Sequence, residues 1–160
     1  YHEGLSLKES AQEIIHHVAD GLALAEKHHL PQVLKDFIIS HHGTSTAGYF
    51  YTKYVNDGGD PDDVADFSYD GKKPTTKEQV ILMLCDAVEA ASRSLKDYSQ
   101  ESISGLVDRI VDGKAAEDQF DDADISLREV STMKDTIKSY LQQMYHSRIS
   151  YPKMKAKAGK

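Results

Sequence analysis

Three capping-box patterns divide this chain, and each stands directly before apolar residues that recur at helical spacing. Each box joins a serine or threonine to a glutamate three positions later: Ser6 and Glu9, Thr75 and Glu78, Ser126 and Glu129. In such a box the two side chains bind each other's backbone N–H groups, so the pattern marks the start of a helix. We therefore predict helices over residues 7–28, over residues 76–95 and from residue 127 onward.

The segments between the boxes also have helical patterns. Pro31 suits the first turn of a helix, and Gly43 suits a helix stop. The inner face of this second helix would consist of Val33, Leu34, Phe37 and Ile38. We predict further helices over residues 47–55 and 99–111, the latter ended by Gly113, with an irregular loop over residues 56–74. No segment has the alternation of a strand, so the predicted fold is an all-α helical bundle.

Length, charge and cysteine content exclude several classes of protein. The 160 residues suit one domain. The net charge of −7 argues against a nucleic-acid polymer or a membrane surface as partner. No apolar run approaches the ~20 residues that span a bilayer, so we expect no membrane contact by this segment. Cys85 is the only cysteine, and its apolar neighbours predict a buried thiol in a reducing compartment.

Asp86 lies in the most apolar stretch of the chain, residues 80–88. A buried carboxylate is costly unless it is paired or binds a metal. Arg109 or Arg128 could pair with it in a structural ion pair. The alternative is a metal, because the adjacent His41 and His42 end another apolar helical segment.

His17 is a third candidate ligand. It lies on the flank of the apolar face of the first helix, three residues after Ile14, whereas His16 points about 100° away. We therefore predict that His17 points inward and that His16 is more exposed. Histidines and a carboxylate from three separate helices would then converge on a metal site.

Three sequence blocks, residues 15–21, 38–44 and 83–94, resemble the HD-domain metal-dependent phosphohydrolases. The resemblance is greatest to the cytosolic HD domain of the seven-transmembrane, PgpH-type cyclic-di-AMP phosphodiesterases, and it extends over residues 3–152. It implies an HD-domain-like bundle over residues 1–152 that lacks its N-terminal helices, followed by a basic, disordered tail over residues 153–160. It also implies a cytoplasmic location and a parent protein anchored in the membrane.

The same resemblance implies a site and a reaction. His17, His41 and His42 would bind one metal of a two-metal centre, and Asp86 would bind the other. Iron and manganese suit such a mixed ligand set best, with zinc as a third candidate. The two metals would activate a hydroxide that attacks phosphorus and opens cyclic-di-AMP to the linear dinucleotide pApA.

The chain departs from the family pattern at one point. The family bridges its metals with the aspartate of a His-Asp dipeptide and uses a further histidine upstream, and this sequence contains no His-Asp dipeptide. Either the chain is a segment that begins downstream of the dipeptide, or it is a degenerate relative. The function predicted first is a cyclic-di-AMP phosphodiesterase domain. The alternatives are a phosphohydrolase for another nucleotide and a non-catalytic regulatory or binding module.

Three further residues are candidates for substrate binding. Arg93 could bind a phosphate, although it could equally pair with Glu89 at i,i+4. Tyr49 belongs to an aromatic run that could stack on adenine or instead belong to the core. Lys73 lies in the loop before Thr75 and could bind a phosphate.

Overall fold

The computed structural model describes residues 6–146 of the chain. Within that range the fold consists of six α-helices and one 3₁₀ helix, without an extended strand. The helices are α1 (Leu7–Lys27), α2 (Gln32–Ser40), α3 (Gly48–Asn56), the 3₁₀ helix (Pro61–Phe67), α4 (Lys77–Ser92), α5 (Gln100–Ala116) and α6 (Leu127–His146). The all-α prediction is therefore confirmed. The predicted basic tail over residues 153–160 lies outside the described residues.

The capping side chains begin the helices where the sequence predicts, with one shift. Ser6 and Glu9 form a complete capping box at the start of α1. The second box is displaced by one residue, because Thr76 rather than Thr75 is the N-cap of α4 and accepts a hydrogen bond from the Gln79 backbone. The side chain of Gln79 is buried, and its carbonyl oxygen accepts the N–H of Thr75 at 2.8 Å. Satisfying this buried amide favours the shifted register.

The helices form two groups that meet at the candidate site. α1 packs against α2, α3 and the 3₁₀ helix, whereas α5 packs against both α4 and α6. The main core lies in the second group and consists of Val80, Leu84, Val88, Ile103, Val107, Val111 and Leu141. A contact between α2 and α4 joins the two groups. The C-terminal end of α2 lies beside α4 at this contact, where His42 approaches Asp86.

Two predictions about buried apolar faces are wrong. On α2, the side chains of Val33 and Leu34 are 58% and 45% exposed. On α4, Ile81 and Cys85 are also exposed, so the predicted buried thiol is not found. The physical reason is that α4 packs on α5 through one stripe only, and residues outside that stripe point about 100° or more away from it.

α5 is longer than predicted, and this matters for the site. The helix continues through Gly113 to Ala116, and the N–H of Glu117 bonds to the carbonyl of Gly113. A glycine within a helix costs about 1 kcal/mol, which tertiary contacts can offset. The added turn brings Lys114 and Glu117 to the loop that follows α2.

Candidate metal centre

Three imidazoles from two neighbouring helices form a cluster. His17 lies in the middle of α1, and His41 and His42 directly follow the last residue of α2. One ring nitrogen of each histidine lies within 4.8 Å of the corresponding atoms of the other two. The ring centroids are 4.1 Å apart for the adjacent pair, and 5.2 Å and 4.9 Å from His17 to His41 and His42. The structure thus brings the three histidines together.

Backbone carbonyls orient two of these rings. Nδ1 of His17 contacts the carbonyl oxygen of Ile14, and Nδ1 of His41 lies 2.6 Å from the carbonyl oxygen of Ile38. A carbonyl can only accept, so in the neutral form of each ring Nδ1 carries the proton and Nε2 carries a lone pair. These two Nε2 atoms face each other at 3.1 Å. Two opposed lone pairs repel each other, and a shared cation or proton relieves that repulsion.

His42 is held in its neutral form. Burial is the main cause that lowers its pKa to about 3, and repulsion from His41, His17 and Lys114 in their charged forms acts in the same direction. Nε2 of His42 lies 3.8 Å from Oδ2 of Asp86, and because the ring is neutral at pH 7 this contact is not an ion pair. Neutral imidazole is the form that binds metals, so no proton has to be displaced from His42 first.

Asp86 lies on α4 beside this cluster but is less buried than predicted. Its side chain is 45% exposed, because the face of α4 that carries Cys85 is open to solvent. Over residues 6–146, no ion pair joins Asp86 to Arg109, Arg128 or any other arginine. The alternative of a structural ion pair with an arginine is therefore wrong for the described part of the chain. The carboxylate is left facing His42.

Tyr69 forms one wall of the site, and the sequence analysis missed it. Its ring stacks on His42 with a centroid distance of 4.3 Å and an interplanar angle of 17°, and it meets His17 edge-on. Burial and the nearby Asp86 carboxylate raise its pKa to about 12, so the phenol stays neutral. Tyr69 lies in the loop before α4, where no periodic pattern points to it.

Lys114 is the second residue that the sequence analysis missed. Its ammonium group donates to Oγ of Ser45 at 2.6 Å, at a half-buried position near the end of α5. Burial lowers the pKa of Lys114, and the negative charges of Glu117 and Asp86 partly offset that effect. The site therefore has a cationic side chain close to its carboxylate. The sequence analysis missed Lys114 because it ended this helix at Gly113.

The three candidate substrate residues differ in their surroundings. The Arg93 guanidinium binds the carboxylate of Glu89 at 2.9 Å, which is the i,i+4 alternative. Tyr49 is 72% exposed and meets Phe50 edge-on. Lys73 lies in a loop whose backbone packs against the histidine turn, because the preceding N–H groups at positions 71 and 72 donate to the carbonyls of residues 43 and 39.

No helix over residues 6–146 combines the length and apolar character needed to cross a bilayer.

Comparison with known proteins reveals clear relatives, although no family model matches the chain. It is 36% identical over 151 residues to the cyclic-di-AMP phosphodiesterase PgpH of Listeria monocytogenes and 37% identical to that of Bacillus subtilis. Both matches cover 94% of this chain and 21% of the relative, so the chain spans about a fifth of the length of these curated relatives.

Solved structures lead to the same relatives. The crystal structure of the L. monocytogenes PgpH HD domain in complex with cyclic-di-AMP matches with a TM-score of 0.82 and 35% identity, over 94% of this chain and 70% of that one. A second crystal structure of that HD domain matches with a TM-score of 0.81 and 34% identity, over 91% of this chain and 67% of that one.

Proposed function

We propose, from the premise that this chain belongs to the PgpH family of HD domains, that it forms part of a metal-dependent phosphodiesterase that opens cyclic-di-AMP to pApA. The premise rests on 35% identity over most of the chain and of a solved HD domain. The proposed substrate is that of the relatives in L. monocytogenes and B. subtilis, which are cyclic-di-AMP phosphodiesterases. The parent protein would be anchored in the membrane, with this segment facing the cytoplasm.

One observation carries the proposed metal site. The Nε2 atoms of His17 and His41 lie 3.1 Å apart, and a carbonyl contact at each Nδ1 orients both Nε2 lone pairs toward each other. Such second contacts are what metal-binding histidines commonly have. A neutral, half-buried His42 completes the set of three imidazoles. Facing lone pairs repel each other when the site is empty, whereas a divalent cation between them would be bound by all three imidazoles.

The ligand assignment follows the family pattern. His17, His41 and His42 would hold one divalent cation, and Asp86 would provide a carboxylate to the second. Imidazole with carboxylate suits iron or manganese, with zinc as the third candidate. When bound, such cations lower the pKa of a water molecule and neutralise charge on phosphate oxygens. Because the family pattern also uses a His-Asp dipeptide that this sequence lacks, we propose that these four residues are a part of the complete centre.

The chain's own residues would support phosphate binding in two ways. The net charge of −7 disfavours an anionic substrate, so a local positive region is required. Lys114 supplies one positive charge beside the histidines, and Lys73 would supply another from the adjacent loop. Arg93 would have to break its ion pair with Glu89 before it could bind a substrate phosphate. Tyr49 is exposed enough to stack on a base.

A hydrolysis assay with several nucleotides tests this function. Because this chain alone would be inactive without the His-Asp dipeptide, the parent protein is incubated with Mn²⁺ or Fe²⁺ and with cyclic-di-AMP, cyclic-di-GMP or a mononucleotide, and products are separated by chromatography. We expect pApA from cyclic-di-AMP. Faster turnover of another nucleotide would make this an HD phosphohydrolase of different specificity.

The missing His-Asp dipeptide favours a second candidate, a non-catalytic binding module. Titration calorimetry with cyclic-di-AMP separates the two candidates. Binding of cyclic-di-AMP without turnover, whether iron, manganese or zinc is present, would favour the binding module. The absence of both binding and turnover would contradict both proposals.

A further inference from the structure

The three residues that follow the His-His-Gly turn are each held by a different side chain from the last turn of α5 or from the residues just after it. The contacts join Thr44 N–H to Gln119 Oε1 at 3.0 Å, Lys114 Nζ to Ser45 Oγ at 2.6 Å, and Thr46 N–H to Glu117 Oε2 at 2.7 Å. We call Lys114, Glu117 and Gln119 the α5 clamp. Its members lie about 70 residues away from the turn in sequence, so only the tertiary fold brings them together.

Gln119 is the most constrained member of the clamp. It is 1% exposed, and its amide is fully paired: Oε1 accepts from the Thr44 backbone, while Nε2 donates to Thr44 Oγ1 at 3.0 Å and to the Glu117 carbonyl at 2.8 Å. A buried amide that loses such partners is strongly disfavoured, so the side chain has one stable orientation. That orientation fixes the backbone of Thr44.

Local backbone geometry makes this close approach possible. Gly43 has a φ of +55°, and a Cβ at this position would collide with Gln119 Oε1. Asp118 has a φ of +57°, which turns the chain sharply after α5 and directs Gln119 back toward the turn. The two left-handed residues thus lie on opposite sides of one contact.

Lys114 connects the clamp to the histidine pair itself. Its ammonium group donates to Ser45 Oγ, and Ser45 Oγ in turn donates to the carbonyl oxygen of His42 at 2.7 Å. The backbone of His42 is therefore two hydrogen bonds away from α5. Movement of the end of α5 would be transmitted directly to this residue.

We propose that Lys114, Glu117 and Gln119 are positioning residues that hold the His41–His42 turn in the orientation needed for metal binding. The inference rests on the proposed role of this pair as metal ligands. His41 is the C-cap of α2 and its N–H still donates to the Phe37 carbonyl, whereas His42 lies beyond that last helical hydrogen bond. Adjacent side chains in such a segment can face one cation only while the following backbone is held. The clamp supplies that restraint from α5.

The main test compares Gln119→Met with a core control within α5, Val107→Ala. Methionine has a similar volume but neither donates nor accepts strongly, whereas Val107 is buried in the α4–α5–α6 core and does not belong to the clamp. Amide hydrogen exchange is followed by NMR in the metal-free chain. We expect Gln119→Met to accelerate exchange at Thr44 at least tenfold relative to the core amides, and Val107→Ala to leave that ratio unchanged.

Metal affinity provides the second readout. Calorimetric titration with Zn²⁺ or Mn²⁺ should give a dissociation constant about tenfold or more higher for Gln119→Met, as for other residues that orient metal ligands. Val107→Ala should bind like the wild type even where it lowers the melting temperature. If Gln119→Met exchanges and binds metal like the wild type, or if its exchange rises equally throughout the chain, the positioning role is wrong.

Glu117 offers a conservative pair of variants. Glu117→Gln keeps an oxygen that accepts the Thr46 N–H, whereas Glu117→Ala removes it. We expect normal exchange at Thr46 for the glutamine variant and faster exchange for the alanine variant. Equal exchange in the two would contradict the role of this contact. A different outcome is that the wild-type chain binds no metal, although amide exchange in the variants changes as expected. That outcome would contradict the proposed metal site but would still support the contacts of the α5 clamp.

Discussion

Nε2 of His17 and Nε2 of His41 lie 3.1 Å apart, although 24 positions separate the two residues. Each ring is turned toward the other by a carbonyl contact within its own helix segment. The packing of α1 against α2 then brings the two nitrogens together. This pair is the centre of the proposed metal site.

The first prediction concerns metal content. His41→Ala removes a ligand from the centre, so we expect a clear loss of bound metal by elemental analysis. His16→Ala is the matched control, because His16 neighbours His17 but its Nδ1 contacts the Gln12 carbonyl outside the cluster. Equal metal content in wild type, His41→Ala and His16→Ala would remove the histidine cluster from consideration as the metal site.

The second prediction concerns Asp86. Since its side chain is half exposed and has no arginine partner in the described chain, Asp86→Asn should change the free energy of unfolding by less than about 1 kcal/mol. Metal binding by the chain, and cyclic-di-AMP hydrolysis by the parent protein, should fall sharply because the carboxylate is lost. Denaturant unfolding and metal titration measure the two effects. A variant that unfolds readily but retains metal would point to a structural role instead.

The third prediction is a pH dependence caused by His42. Its pKa is about 3 in the folded chain and about 6.5 in an unfolded one, so between these values the unfolded state binds a proton that the folded state does not. Stability without metal should therefore decrease as pH falls below about 6.5, by up to about 1.4 kcal/mol per pH unit from this group.

The His42→Asn variant isolates that contribution. Other groups titrate in the same range, so the informative quantity is the difference between wild type and variant in urea unfolding at each pH. This difference should be constant above about pH 7 and should change steadily between pH 6 and 4. Two parallel curves over the whole range would show that His42 is not held neutral by burial.

The fourth prediction concerns Gly71, which allows the loop before α4 to approach the histidine turn. A Cβ at this position would collide with the carbonyl oxygens of Ile39 and Gly43, which are backbone atoms. Gly71→Ala should destabilise the fold by about 1–3 kcal/mol and weaken metal binding.

Gly48→Ala is the control for that substitution. Gly48 begins α3, and a Cβ there would meet no atom within 4 Å, so alanine should be neutral or slightly stabilising. Thermal unfolding of both variants provides the comparison. Similar melting temperatures for Gly71→Ala and wild type would mean that the loop can move away without cost.

The helices and the histidine ligand candidates could be predicted from the sequence because they depend on local chemistry. Capping boxes require particular residues three positions apart, and Ser6 with Glu9 forms the expected contact. The pair His41-His42 before Gly43 is likewise visible as a short motif, and the structure places it with His17. The resemblance to HD domains, which the comparisons confirm, depends on the same short blocks.

Burial and long-range contacts were decided only by the tertiary structure. Val33 and Cys85 belong to apolar stretches, yet they are exposed because each helix packs through one stripe. α5 continues past Gly113, since a single glycine costs less than the contacts of the added turn contribute. Those contacts place Gln119 against Thr44, 75 residues away, and no local pattern encodes a hydrogen bond over that separation.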